Sequence, residues 1–99
     1  MTAVTTLETL RQRKAEIESL ARHHGAYGVR IFGSVAREDD TEDSDIDVLV
    51  EMNEESSLLD LVRFQQALET MLNRRTDVLT VGGINPYLKN RILAEAVRL

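Results

Sequence analysis

Asp45 and Asp47 stand two residues apart at the head of an apolar run, inside the stretch FGSVAREDDTEDSDIDVLV that joins Phe32 to Val50. Residues two apart in a strand share a face, with Ile46 turned the opposite way. Two carboxylates held that close repel, and in a partly buried setting the pair is costly unless a cation neutralises it. Mg²⁺ suits such a pair, because it takes hard oxygen ligands, keeps several waters, and needs only one or two carboxylates besides substrate phosphates. Two such ions about 3.5–4 Å apart would serve phosphoryl-type chemistry. Gly33 and Ser34, twelve and eleven residues upstream of Asp45, supply the complementary half. Glycine lets a phosphate approach the backbone closely, and Ser34 offers a hydroxyl and an amide where a helix can begin.

Other readings of these acids are less economical. Seven carboxylates fall among the ten residues from Glu38 to Asp47, and for Glu38, Asp39, Asp40, Glu42 and Asp43 a solvated, mobile loop is the expectation. Asp43, Asp45, Asp47 and Glu54 also match positions one, three, five and twelve of a calcium loop. The sixth position, which needs glycine for its sharp turn, is Val48, and the flanks read as strand rather than helix pair.

The elements that must carry these residues are visible in the periodicity. Val4, Leu7, Leu10, Ile17, Leu20 and Ala21 recur at helical spacing and predict an amphipathic helix from Thr6 to His24, started by a Thr5–Glu8 capping box and stopped at Gly25. Val29 to Gly33 reads as a short strand, with Gly33-Ser34 as its exit. Ile46 to Met52, IDVLVEM, is rich in β-branched and apolar residues, as expected of a strand buried on much of both faces. A second helix should start at Ser56 or Ser57 and end near Asn73, turning Leu58, Leu61, Phe64, Leu68, Met71 and Leu72 inward. Thr76 to Val81 reads as a third strand. Asn85 as N-cap and Pro86 at the first helical position then open a last helix carrying Leu88, Ile92, Ala96 and Leu99. The expected fold is α+β, a two-layer α/β arrangement: a small mixed sheet of about three strands packed by helices, formed by residues 1–99 as a single domain.

Composition narrows the function. With 42% hydrophobic and 29% charged residues the chain has the make-up of an ordinary globular domain. No cysteine is present, which excludes a disulfide framework or a thiolate metal site. The opening MTAVTTLETLRQRK has no basic start followed by an apolar run, and no apolar run reaches the length of a membrane span, so a cytoplasmic chain without membrane contact is expected. A net charge of −5 argues against direct nucleic-acid binding, which needs a basic face. An acidic chain that binds a phosphate ligand needs local help from a metal, a helix N-terminus or a few arginines.

The stretch GSVAREDDTEDSDIDVLV closely resembles the G-S-x(10)-D-x-D signature of the DNA polymerase β-like nucleotidyltransferase superfamily, and the brevity of the chain resembles its minimal branch, MNT. The resemblance extends over most of the chain and implies the polymerase β-like fold. In that family a third carboxylate on the next strand completes the metal site, and RRTDVLTV offers Asp77 at the matching place. The sequence departs from many relatives at Glu38, where they have glycine after the Ala-Arg pair. The implied reaction moves a nucleoside monophosphate from an NTP to an acceptor hydroxyl and releases pyrophosphate. Gly33 and Ser34 would hold the terminal phosphates, Asp45 and Asp47 would hold the Mg²⁺, and Asp77 would position a metal and orient or deprotonate the acceptor. Arg37 would either neutralise phosphate charge or pair with the acidic loop.

Minimal members resembling this chain are commonly encoded beside a HEPN-domain protein, as antitoxins that add AMP to a tyrosine of a HEPN ribonuclease toxin. The resemblance therefore implies an ATP-dependent protein adenylyltransferase whose acceptor is its partner. Two other functions stay open at this point: an antitoxin that acts by binding alone, and a nucleotidyltransferase for a small molecule.

Overall fold

The computed structural model describes residues 4–99; the first three residues of the stretch examined for a leader lie outside them. Thr5 caps the first helix as its spacing from Glu8 requires, its side chain accepting from the Glu8 amide at 3.1 Å while Glu8 accepts from the Thr5 amide at 3.3 Å. The single helix expected from Thr6 to His24 is two, α1 (Thr6–Gln12) and α2 (Lys14–His23). The break falls at Arg13, whose backbone leaves helical angles (φ −103°, ψ 17°) and whose guanidinium donates to the Met71 carbonyl at 3.0 Å and to Glu16 at 3.0 Å. The bend lets Leu7 and Leu10 on one helix and Ile17 and Ala21 on the other all reach the core.

Four strands follow: β1 (Ala26–Phe32), β2 (Ile46–Met52), β3 (Thr76–Thr80) and β4 (Val97–Arg98), in the spatial order β3-β2-β1-β4. Strand β1 starts earlier than its apolar run suggests, because Ala26 and Tyr27 pair with Met52 and Glu51 across a bulge that follows Tyr27. Gly28 sits in that bulge at φ +62°, a conformation in which glycine is unstrained. The sheet is mixed: β2 runs antiparallel to β1 and parallel to β3. The parallel pair requires a crossover, supplied by α4 (Leu58–Leu72), which has a Ser57–Asp60 capping box at its start and Asn73 at φ +52° at its end. Short helix α3 (Gly33–Arg37) leaves β1, and α5 (Pro86–Glu95) follows β3 through a 3₁₀ turn at Val81–Gly83.

Strand parity divides the core. Ile46, Val48 and Val50 of β2 face the layer of α1, α2 and α4, where Phe64 and Leu68 are fully buried. Leu49 faces the other way, into a smaller cluster with Phe32, Ile84 and Ile92. Residue 47 shares that second side. The fourth strand differs from the expected three because the helix stops at Glu95 and Ala96 turns extended (φ −65°, ψ 135°), so Val97 pairs with Ile31 and Arg98 with Arg30. Leu58, expected inside, is 75% exposed, and Leu88 of the last helix is 46% exposed; each sits in the first turn of its helix. The outer edge of β3 is closed by its own crossover helix: the Val78 amide donates to Gln65 at 3.0 Å and the Thr76 amide to Glu69 at 3.3 Å, which blunts an edge that could otherwise pair with another chain.

Glu38 caps α3 in the left-handed region, at φ +61°. Glycine there would relieve strain, at the cost of a looser unfolded chain and of the hydrogen bond that Glu38 accepts from Thr5 at 3.0 Å. Glu38→Gly is therefore expected to stay within about 0.5 kcal/mol of the parent, whereas β-branched Glu38→Val loses about 1–2 kcal/mol, measured as urea midpoints at constant m-value.

Candidate active site

The sheet ladder brings the motifs together. Asp47 pairs with Phe32 on one side and with Asp77 on the other, so the last residue of β1 and the opening turns of β2 and β3 meet at one end of the sheet. Gly33 follows Phe32 directly and begins α3 at φ +72°. A Cβ at Gly33 would collide with Asp47 Oδ2 and lie 3.1 Å from its Cγ. Glycine is thus needed here twice, for its backbone conformation and because the Asp47 carboxylate occupies the space a side chain would fill. Ser34 occupies the first turn of α3, where amides have no acceptor within the helix.

Asp47 is half-buried, while Asp45 and Asp77 are exposed. Asp45 lies just outside β2, and its carboxylate is 3.9 Å from the Arg75 guanidinium. Burial, reinforced by the charges of Asp77 and Asp45, pushes the Asp47 carboxyl up from 3.8 to about 6. Arg37 acts in the opposite direction on Asp47, and Glu95 adds to the rise. Sequence spacing brings Asp47, Asp77, Gly33 and Ser34 to one place. It does not bring Arg37 there as a free cation, since that side chain is paired with Glu95 and, at 3.2 Å, with Asp39. Glu95 escapes a sequence reading altogether, lying 48 residues beyond Asp47 on a helix with no motif. Among the described residues no three histidine, cysteine or acidic side chains converge closely enough to chelate a metal by themselves; Asp45, Asp47 and Asp77 share an end of the sheet without closing on one point. A cavity of about 340 Å³ lined by Lys14, Glu18, Tyr27, Arg30, Glu51 and Arg98 lies toward the other end of β1 and β2.

In the acidic connection from α3 to β2, Glu38, Asp39, Glu42 and Asp43 are exposed as its composition predicts, and Asp40 is the exception. Asp40 accepts from the Thr6 hydroxyl at 2.7 Å and from Arg74 Nη2 at 3.0 Å, and although burial works against its charge, these two donors hold its carboxyl below the ordinary value. The same guanidinium donates to the carbonyls of Thr41 and Ser44 at 2.7 and 2.9 Å. Thr41 and Ser44 close a turn on each other, the Thr41 amide donating to the Ser44 hydroxyl at 2.9 Å.

A family described as the nucleotidyltransferase domain matches residues 11–99. A provisionally named protein adenylyltransferase of Methanocaldococcus jannaschii is 51% identical over 84 residues, 85% of this chain and 90% of its own. Among solved structures, a provisionally assigned minimal nucleotidyltransferase is similar with a TM-score of 0.85 at 44% identity, each chain being covered completely. A chain of a toxin–antitoxin complex with AMP-PNP shares the fold, with a TM-score of 0.73 at 19% identity over 85% of this chain and 69% of its own.

The raised Asp47 carboxyl has a consequence for stability. A group whose folded-state pKa exceeds its unfolded value favours the folded state while protonated; that contribution is complete below about 3.8 and is lost as pH rises through about 6. Asp47→Asn should therefore be more stable than the parent at pH 8, by about 1 kcal/mol after allowance for solvent screening of a half-buried group. The advantage should vanish below about pH 4. Urea titrations at the two pH values, without divalent ions, measure the difference.

Proposed function

The chain belongs to the nucleotidyltransferase family, and from that premise we propose that it is a Mg²⁺-dependent protein adenylyltransferase, moving AMP from ATP to a tyrosine hydroxyl of a partner. The observation that carries this reading is the seating of Asp47 against the Gly33 backbone with Asp77 beside it: a glycine-serine turn and paired carboxylates lie at one sheet end. The names of relatives support a protein acceptor, and the toxin–antitoxin neighbour supports a toxin as partner. We take that partner to be a HEPN-domain ribonuclease, neutralised when AMP is added, with the chain acting as its antitoxin in the cytoplasm. Among the described residues no helix is long and apolar enough to cross a membrane. Residues 1–99 serve in this reading as one minimal nucleotidyltransferase domain.

The residues fit a divalent ion. Asp45, Asp47 and Asp77 offer hard oxygen donors of the kind magnesium prefers, and they share one end of the sheet, with Asp47 raised by burial and by the charges of the other two. Asp45 and Asp47 would hold Mg²⁺, with Asp77 contributing to a second ion. Bound there, Mg²⁺ supplies charge neutralisation for the triphosphate and for the oxygens of the displacement. The chain's own groups do the rest. Backbone amides at Gly33 and Ser34 and the Ser34 hydroxyl receive the terminal phosphates, which the missing side chain at Gly33 lets approach. Asp77, exposed on β3, orients the acceptor hydroxyl and takes its proton as that oxygen bonds to the α-phosphorus. The bond from the α-phosphorus to the bridging oxygen breaks, and pyrophosphate leaves. Arg37 reaches a phosphate only by exchanging Glu95 or Asp39 for it.

Incubation of the chain with α-labelled ATP, Mg²⁺ and the protein encoded beside it provides the test. Label is expected on a tyrosine of that protein, falling by at least about 10²-fold with Asp47→Asn. Chelation of the divalent ion should abolish transfer, and gel autoradiography with peptide mapping reads both results. Absence of label on the partner, together with undiminished neutralisation of toxicity by an Asp45→Asn, Asp47→Asn double variant, would show action by binding alone. Label on an added metabolite instead would identify a small-molecule acceptor.

A further inference from the structure

Asp47 and Asp77 are set by strand pairing, but Asp45 precedes β2 and its side chain is exposed, with the exposed Arg75 guanidinium 3.9 Å away, so where its carboxylate points depends on the path of the backbone on either side of it. On the upstream side, the Ser44 carbonyl accepts from Arg74 Nε at 2.9 Å. Downstream, the Ile46 amide donates to the Arg75 carbonyl at 2.9 Å. Both peptide groups that flank Asp45 therefore end on the Arg74-Arg75 pair. We propose that Arg74 is the positioning residue of the carboxylate site, a splint that sets Asp45 relative to Asp47. The inference rests on the reading of those two carboxylates as metal-binding groups.

The rest of the Arg74 environment shows why arginine does this work. Its three nitrogens are divided among four partners: Nε to Ser44, Nη1 to the Thr6 hydroxyl at 3.1 Å, and Nη2 to both Asp40 and the Thr41 carbonyl. A planar fork of fixed donors can satisfy acceptors in several directions at once, whereas an ammonium on a flexible stem cannot reproduce that arrangement. The pair is sheltered, with side-chain exposures of 18% for Arg74 and 9% for Asp40, so the bonds face little competition from water. Arg74 lies between the left-handed cap at Asn73 and, one residue on, the start of β3, the strand that carries Asp77. One side chain thus references the loop bearing Asp45 to the strand bearing Asp77.

Mn²⁺ binding to the full chain with a non-hydrolysable ATP analogue, followed by electron paramagnetic resonance, tests this without turnover. Arg74→Gln is expected to raise the Mn²⁺ half-saturation concentration roughly 10- to 100-fold, with Arg74→Lys restoring little of it. Amide hydrogen exchange over residues 41–46 should quicken while far-UV circular dichroism at the same temperature stays that of the parent. Parent-like Mn²⁺ affinity in a folded Arg74→Gln chain, or unchanged exchange in that segment, overturns the proposal. If the parent binds no Mn²⁺, or Asp47→Asn binds it as well as the parent, the carboxylate reading itself falls and the inference with it. Should Arg74→Gln fail to fold, Asp40→Asn takes its place, removing the ion pair while leaving Thr6 an acceptor. A smaller loosening of Mn²⁺ binding is then expected, and parent-like binding overturns the proposal equally.

Discussion

The contact that organises this end of the sheet is the lodging of one carboxylate, Asp47, against a backbone with no side chain, Gly33. It ties the end of β1 to the start of β2, so the turn and the acids, separated by an acidic connection, become one site. It also sets requirements elsewhere. Residue 33 must accept φ +72°, residue 32 must pair with residue 47, and β3 must lie parallel to β2 for Asp77 to stand beside Asp47. A parallel neighbour demands a crossover. Helix α4 is that crossover, and its buried Phe64 and Leu68 anchor the main core cluster. The hydrophobic layer on one side of the sheet thus holds in place a charge arrangement on the other that would not assemble on its own.

How much of this could be read from sequence depends on how local each cause is. Asp45 and Asp47 stand out because charge at the head of an apolar strand conflicts with burial, and Gly33-Ser34 because its distance from them is that of a familiar signature. The capping pair Thr5–Glu8, the helix start at Ser57 and the Asn85-Pro86 helix start are likewise local and appear as expected. The differences arise where a distant group decides. Arg13 interrupts a continuous helical periodicity because the Met71 carbonyl draws its side chain. Strand β4 is two residues long and owes its existence to the free side of β1, so no alternation could announce it. Periodicity also puts Leu58 and Leu88 on apolar helix faces, but it does not say that the first turn of each helix leaves them exposed.

The acidic connection shows the same point in charge. Five acids in six residues, Glu38 to Asp43, have the composition of a solvated loop, yet one of them, Asp40, is nearly buried against Arg74 and Thr6. Composition averages over residues, and a single well-placed guanidinium breaks the average. The repulsion that would otherwise extend such a loop is offset at one point, and the segment leading into Asp45 acquires a fixed path.

The allegiance of the arginines near the site bears on the chemistry more than their number does. Arg37 is held by Glu95 and Asp39, Arg74 by the connection it braces, and Arg75 leans toward Asp45. Each is committed to a carboxylate of the chain itself. On the proposed reading a triphosphate at Gly33 and Ser34 would therefore meet cations already paired, beside an Asp47 whose carboxyl is raised to about 6 by burial and by its acidic neighbours. Bringing more negative charge to that place without compensation would be strongly unfavourable in a partly desolvated setting. On the proposed reading a divalent ion would compensate the carboxylates and the phosphates together, without calling on the paired arginines. On that reading the chain's net charge of −5 agrees with phosphate chemistry, because the acids that make the chain negative would recruit the cation that a basic protein supplies from its own side chains.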